Sequence, residues 1–295
     1  MPDLKDTIKE KRPNLSPTSI QTYNSILTNL YKRVYGDYET IDPAKFNDDE
    51  KMLRFLKIQP PNKRKTILSA LVIITDNKKY RELMLDDIKD YNSEIAKQEK
   101  TPSQAENWVS GGEIAQLWTK LKKDSDLLYK KDHLTIQDLQ QIQAFILLSL
   151  LGGIFIAPRR ALDYVNFKIK DLDKSKDNYL DKSMLVFNSY KTAKVYGQQS
   201  VSIPPTLRYI LKKWVKHNPT DYLFFDINLN QLTSVKLNQR LNKLFGGKKI
   251  GVNSLRHSYL SDKYGDTIQT NKALAEDLSK MGSSMSQAQT YIKES

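Results

Sequence analysis

Thr135-Ile-Gln-Asp-Leu-Gln-Gln-Ile-Gln-Ala-Phe145-Ile-Leu-Leu-Ser-Leu-Leu-Gly152-Gly153 is the stretch that decides how the chain folds. Thr135 suits a helix N-cap, because its hydroxyl can accept from an otherwise unpaired backbone N–H of the first turn. From Phe145 onward the apolar residues become continuous. Such a helix is apolar nearly all round and belongs in the middle of a core. Gly152-Gly153 ends it. The apolar run from Ala144 to Ala157, interrupted by Ser149 and the two glycines, is shorter than the ~20 residues needed to span a bilayer. Met1-Pro-Asp-Leu-Lys-Asp lacks the apolar segment of a signal peptide. A soluble, intracellular protein without membrane association is expected.

Around this helix the periodicity sorts the chain into two regions. In the second, Ser110 caps a helix through Ile114, Leu117, Trp118 and Leu121. Met184–Phe187 and Gln199–Ile203 read as two short strands about a turn rich in Lys, Tyr and Gly. Leu207–Val215 is helical, as is most of the chain from Thr233 onward. In the first region, Ser16-Pro17 reads as an N-cap with Pro at the first helical position. Ile20, Tyr23, Ile26, Leu27, Leu30 and Tyr31 then recur at helical spacing. A second helix is expected from Asp42-Pro43 through Leu56, a third over Lys63–Thr75 and a fourth over Lys79–Glu99. The polar run near Lys97–Asn107 suits a linker. The expected organisation is an arm (1–14), an all-helical domain (15–98), a linker (99–109) and a mostly helical domain with a small antiparallel sheet (110–295). The fold class is mainly α.

The 295 residues include 47 Lys+Arg, 34 Asp+Glu, three His and no Cys, a net charge of +13. Without cysteine there is no disulfide framework, thiolate zinc site or cysteine nucleophile. Residues 1–100 carry 19 basic and 16 acidic side chains, and residues 101–295 carry 28 and 18. The basic excess therefore lies in the second region, where an anion site is expected. Nucleic acid, an anionic membrane surface and an acidic partner all fit charge alone.

Four features of that region carry possible chemistry: Pro158-Arg159-Arg160-Ala-Leu-Asp163 with Phe167 and Asp171, Tyr190-Lys191-Thr-Ala-Lys194, Asn253-Ser-Leu-Arg256-His257, and Met281-Gly-Ser283-Ser with Tyr291. Singly, each has an ordinary explanation: a surface ion pair, a solvated turn lysine, a packing tyrosine. In this order and spacing they resemble the boxes of the tyrosine recombinase (phage integrase) family. Arg160 fits the first box in register with Asp163, Phe167 and Asp171, and Arg159 fits one residue worse. Lys191 matches the hairpin lysine, with Lys194 as competitor. Asn253-Ser-Leu-Arg256-His257 matches the second box. Met281-Gly-Ser283 with Tyr291 matches the closing box. Leu15-Ser-Pro-Thr-Ser-Ile-Gln-Thr-Tyr23 is similar to the start of the family's helical core-binding domain. Two positions depart from the pattern: Asn253 stands where the family usually has His, and Ser283 where it has His or Trp. Asn still donates a hydrogen bond but does not accept a proton as imidazole does.

The resemblance implies catalytic roles for Arg160, Lys191, Asn253, Arg256, Ser283 and Tyr291, with Asp163 and His257 supporting them. It implies cleavage and rejoining of double-stranded DNA through a 3′-phosphotyrosyl ester by a homo-oligomer, a tetramer on DNA. The chemistry is self-consistent. Tyrosine attacks as phenolate, two arginines clamp the non-bridging oxygens, and a lysine protonates the departing 5′ oxygen. No metal and no other cofactor is expected, and His133, His217 and His257 form no ligand motif. Lys63, Arg64 and Lys65 in the first region, and Lys194, Lys248 and Lys249 in the second, are candidate DNA-backbone contacts. Relaxation of the type IB topoisomerase kind, or DNA binding with turnover lost through Asn253 and Ser283, would use the same fold.

Overall fold

The computed structural model describes residues 3–36 and 40–281. The chain divides into two compact units, residues 1–100 and residues 101–295.

The first unit is all-helical: α1 (Leu4–Lys11), α2 (Pro17–Tyr35), a 3-10 turn (Pro43–Asn47), α3 (Asp49–Lys57), α4 (Pro61–Thr75) and α5 (Lys78–Ala96). Ser16 caps α2 by accepting from Ser19 N, with Pro17 at the first position. α4 is the centre of the core, burying Leu68, Ala70, Leu71, Val72 and Ile74. Around it pack Leu27, Leu30, Tyr31, Phe46, Met52, Leu56 and Tyr80. Two expectations are corrected here. Of the arm expected at 1–14, residues 3–12 are not loose. Asp3 caps α1, Leu4 and Ile8 fall one turn apart on its buried face, and Arg12 reaches Asp76 at 2.6 Å. The helix expected from Asp42 through Leu56 is split, because Asp48 accepts from Lys51 N and starts a new helix there.

The second unit opens with α6 (Pro102–Glu106), α7 (Gly111–Leu128) and α8 (Ile136–Leu151). The segment read as a linker at 99–109 therefore contains a helical turn. Thr101 and Gln104 close a reciprocal cap around it, and Val109 enters the core. α8 is the helix quoted at the outset, and every residue from Phe145 to Leu151 is buried. Its buried polar residues are drawn into hydrogen bonds: Ser149 Oγ accepts from Trp118 Nε1 and donates to Phe145 O, both at 2.8 Å. Gln143 Oε1 accepts from Phe225 N and Arg240. Burial in this core pulls the Arg240 guanidinium down to about 10, against the attraction of Asp226.

After α8 come α9 (Ala161–Val165), β1 (Phe167–Lys168), β2 (Asn178–Asp181), β3 (Met184–Phe187), α10 (Ala193–Tyr196), β4 (Gln199–Ser202), α11 (Pro205–His217), α12 (Ser234–Leu244) and α13 (Val252–Lys280). The sheet order is β1-β2-β3-β4. It is mixed rather than antiparallel, since β1 pairs parallel with β2 while the other two pairings are antiparallel. Residues 169–177 turn the chain back between the parallel strands, through Asp171 at φ 43° and an Asp173 side chain that accepts from Ser175 N. Asn178 at the start of β2 is fully buried and fully used. Its Nδ2 donates to Asp163 O and Ser189 O, and its Oδ1 accepts from Asn188 N and Ser189 N.

Gly153 shows why the glycine doublet ends α8. Its φ is +74°, and a Cβ there would lie 2.5 Å from the Tyr259 ring of α13.

At the start of α8, Thr135 and Asp138 cap one another, and Lys131 Nζ adds a 2.7 Å contact to Asp138. The Lys131 hydrogen bond first, then those from the Thr135 backbone and hydroxyl, hold the Asp138 carboxyl down at about 2. Its folded value lies below its unfolded one, so this stabilisation is complete above about pH 4 and fades as pH falls towards 2. Asp138→Asn should therefore lower Tm at pH 7, with the gap to wild type narrowing steadily in melts taken from pH 5 down to pH 2.

Candidate functional site

Several positive side chains of the second unit stand around three adjoining clefts. The first, of about 290 Å³, is lined by Arg159, Arg160, Asp163, Tyr196, Gln199 and Arg256, among others. The second, about 320 Å³, is lined by Arg160, Lys191, Asn238, Gly251 and Asn253. Arg160 belongs to both. The third, about 290 Å³, holds Asn253, Ser254, His257, Ser258 and Lys249, and shares Asn253 with the second.

Local structure explains how these side chains reach the clefts. Arg160 is the residue before α9, in extended conformation. Asn253 and Arg256 stand near the start of α13, each directly after a buried residue, Val252 and Leu255 respectively. Asn238 of α12 fixes the start of that helix by accepting from Val252 N at 3.1 Å. Lys191 follows β3, next to a Tyr190 that is buried and whose hydroxyl donates to Gly197 O at 2.6 Å, closing the loop on itself. α10 forms inside this loop, so Lys194 sits on a helical turn rather than in an open hairpin tip. Lys194 is exposed and lines none of the three clefts.

The two neighbouring arginines divide their work. Arg159 is internally committed: Nε donates to Asp163 Oδ2 and Nη1 to Gln199 Oε1, each at 2.9 Å. Its guanidinium also lies over the Phe187 and Tyr190 rings, 4.0 and 5.1 Å from their centroids. Arg160 makes no hydrogen bond or ion pair among the described residues, and neither does Lys191. Arg256 has one long contact, to Asn253 Oδ1 at 3.4 Å. Asp163 is only 1% exposed. Burial pushes its carboxyl above the usual range, against the pull of Arg159, Arg160 and Arg256. Three cations facing open clefts, with the nearest carboxylate already paired, make a site for an anion with several oxygens.

Of the other residues singled out in the sequence, His257 is exposed and lines the third cleft, one helical turn beyond Asn253, rather than packing into the core. Ser283 and Tyr291 lie outside the described residues. Lys248 is partly engaged, donating to Trp108 O and facing Glu113 at 3.5 Å. The Lys249 side chain is exposed beside the third cleft. In the first unit Lys63 is exposed, and Lys65 lies over the Tyr91 ring. Arg64 is a correction. It forks onto Asp87, with Nε to Oδ2 at 2.9 Å and Nη2 to Oδ1 at 2.6 Å, and joins α4 to α5 instead of facing a ligand. Sequence reasoning weighed Arg159 only as the poorer match to the first box, and missed Gln199. For Arg159 the signal was present, since Arg159 and Asp163 stand at i,i+4. Gln199, distant in sequence, gave none.

No protein-family model and no curated protein matches the sequence. Among solved structures, the chain is similar to a XerA recombinase, at 15% identity with 88% of this chain and 82% of that one covered and a TM-score of 0.36. It is also similar to a lambda integrase dimer bound to a COC′ core site, at 10% identity, 88% and 85% coverage and a TM-score of 0.45. Among the described residues no helix is long and apolar enough to cross a membrane.

Because Asp87 is 1% exposed, removing its partner leaves a buried charge uncompensated. Arg64→Ala should cost about 3–5 kcal/mol in urea unfolding, while exposed Lys63→Ala should stay within about 0.5 kcal/mol.

Proposed function

We propose that the protein is a DNA strand-exchange enzyme of the tyrosine recombinase type, which cleaves duplex DNA and rejoins it through a phosphotyrosyl ester on Tyr291. The observation that carries this is the convergence of Arg160, Lys191, Asn253 and Arg256, from three distant segments, on adjoining clefts that share Arg160. These are the residue types that transfer of a phosphodiester needs, and among the described residues the two arginines and the lysine have no carboxylate partner.

In this reading Arg160 and Arg256 bind the two non-bridging oxygens and stabilise the charge that grows on them in the pentavalent transition state. The Tyr291 oxygen, its proton passed to solvent water, forms the bond to phosphorus. The P–O5′ bond breaks, its electron pair leaves on O5′, and the Lys191 ammonium supplies the proton. Asn253 donates a hydrogen bond to the phosphate and does not act as base. Rejoining is the same sequence reversed, and the ester keeps the bond energy. The basic surface of the second unit draws in the DNA backbone, which makes binding fall steeply with salt. The active form is a homo-oligomer, a tetramer on two DNA sites.

A binding site selected from random duplexes, then nicked to form a suicide substrate, tests the proposal. Wild type should form an SDS-resistant adduct and Tyr291→Phe none. Arg160→Ala and Arg256→Ala should each slow adduct formation by about 100- to 1000-fold. Tight duplex binding with no adduct would favour a DNA-binding protein that has lost turnover, and an adduct surviving Tyr291→Phe would reassign the nucleophile. On two-site plasmids recombinant products are expected, and relaxation alone would mark a topoisomerase.

A further inference from the structure

Arg159 touches four residues of the second unit at once, three of which also line the first cleft. Its Nε holds Asp163 in α9, its Nη1 holds Gln199 at the start of β4, and its flat face covers Phe187 at the end of β3 and Tyr190 just beyond. Phe187 and Gln199 are themselves paired across β3 and β4, so they are the last rung before the loop that carries Lys191. The other side of the same loop is tied to α9 by Asn178, through Asp163 O, Asn188 N and Ser189. The Asn178 contacts are local to the strand ends. Arg159 bridges α9 to both strands of the hairpin through a side chain next in sequence to Arg160.

We infer that Arg159 is a positioning residue: it locks the root of the 188–198 loop to α9 and so sets Lys191 against the phosphate held by Arg160. The inference rests on the function proposed above, and concerns the one step in which Lys191 gives its proton to the leaving oxygen. Lysine cannot replace the fork, because one ammonium does not hold Asp163 and Gln199 together while lying flat on two rings.

The test uses two suicide substrates that differ in the leaving atom, the natural 5′ oxygen or a bridging 5′ sulfur. A thiol, with a reference pKa of about 8.5, departs as thiolate without a proton donor. On the oxygen substrate Arg159→Gln should slow cleavage by about 100-fold, the cost of a misplaced catalytic group. On the sulfur substrate it should return to near the wild-type rate, as Lys191→Ala should. The double variant should be no slower than Lys191→Ala alone, since both remove the same step. Should Arg159→Gln fail to fold, Gln199→Ala cuts only the hairpin end of the fork. It should show a smaller loss on oxygen and the same recovery on sulfur. Equal slowing of the Arg159 variant on both substrates, or losses that add in the double variant, would overturn the inference, as would a Gln199→Ala enzyme with the wild-type rate on oxygen. If Lys191→Ala is not rescued by sulfur, Arg159 cannot act through it and the inference also fails. Wild type that forms no adduct with either substrate would instead remove the proposed function itself.

Discussion

A carboxylate taken out of water must be met by charge and hydrogen bonds or it gives up its own charge. Asp163 is that carboxylate here, and the arrangement of the second unit depends on how it is met. One oxygen takes the Arg159 guanidinium, while the other is buried without a partner. The carbonyl of the same residue is bound by Asn178. Short helix, sheet and hairpin root are thereby joined at one point, and the chain leaves that point with Arg160 directed to the clefts. A buried pair of this kind adds little net stability, because desolvation offsets most of the attraction. Its effect is to make one geometry much better than its neighbours.

Charge in the second unit is less available than the sequence total suggests. Lys131, Lys168 and Lys236 are each bound to an aspartate. Arg240 is spent on the core, where it holds Gln143 and the Phe225 carbonyl. What is left facing the clefts is a small set, Arg160, Lys191 and Arg256, with Lys249 nearby. A net charge of +13 describes long-range attraction, whereas the clefts are faced by a few cations that have no carboxylate partner among the described residues.

Most helices were legible because their signals are local. Thr135 and Asp138, Ser110 and Glu113, and Ser16 with Pro17 all mark starts that the structure keeps. β3 and β4 were legible for the same reason. The mixed sheet was not, because β1 pairs only Phe167 and Lys168, and its partner β2 is met only after the 169–177 turn. α1 was hidden by its charged composition, since two buried side chains, Leu4 and Ile8, are enough to seat eight residues when the core offers a place. At the site, Arg160, Lys191, Asn253 and Arg256 could be picked out by order and spacing. Arg64 could not be told from Lys63 and Lys65, because the difference lies in Asp87, one helix away. The same holds for Gln199, whose partner is visible only once the hairpin is folded.

The glycine doublet at the end of α8 bears on how such a sequence can change. Gly152 already lies against Leu148 O and Ile114, and Gly153 against Tyr259. A methyl group at Gly153 would press on the Tyr259 side chain of α13, the helix that carries Asn253 and Arg256. The route from Gly153 to Arg159 is only a few residues long, so the same displacement would reach the other arginine as well. Two sites that face solvent, and so look free to vary, are thus coupled through a point with no side chain at all. Drift at this point is confined by the absence of volume beneath the charged residues.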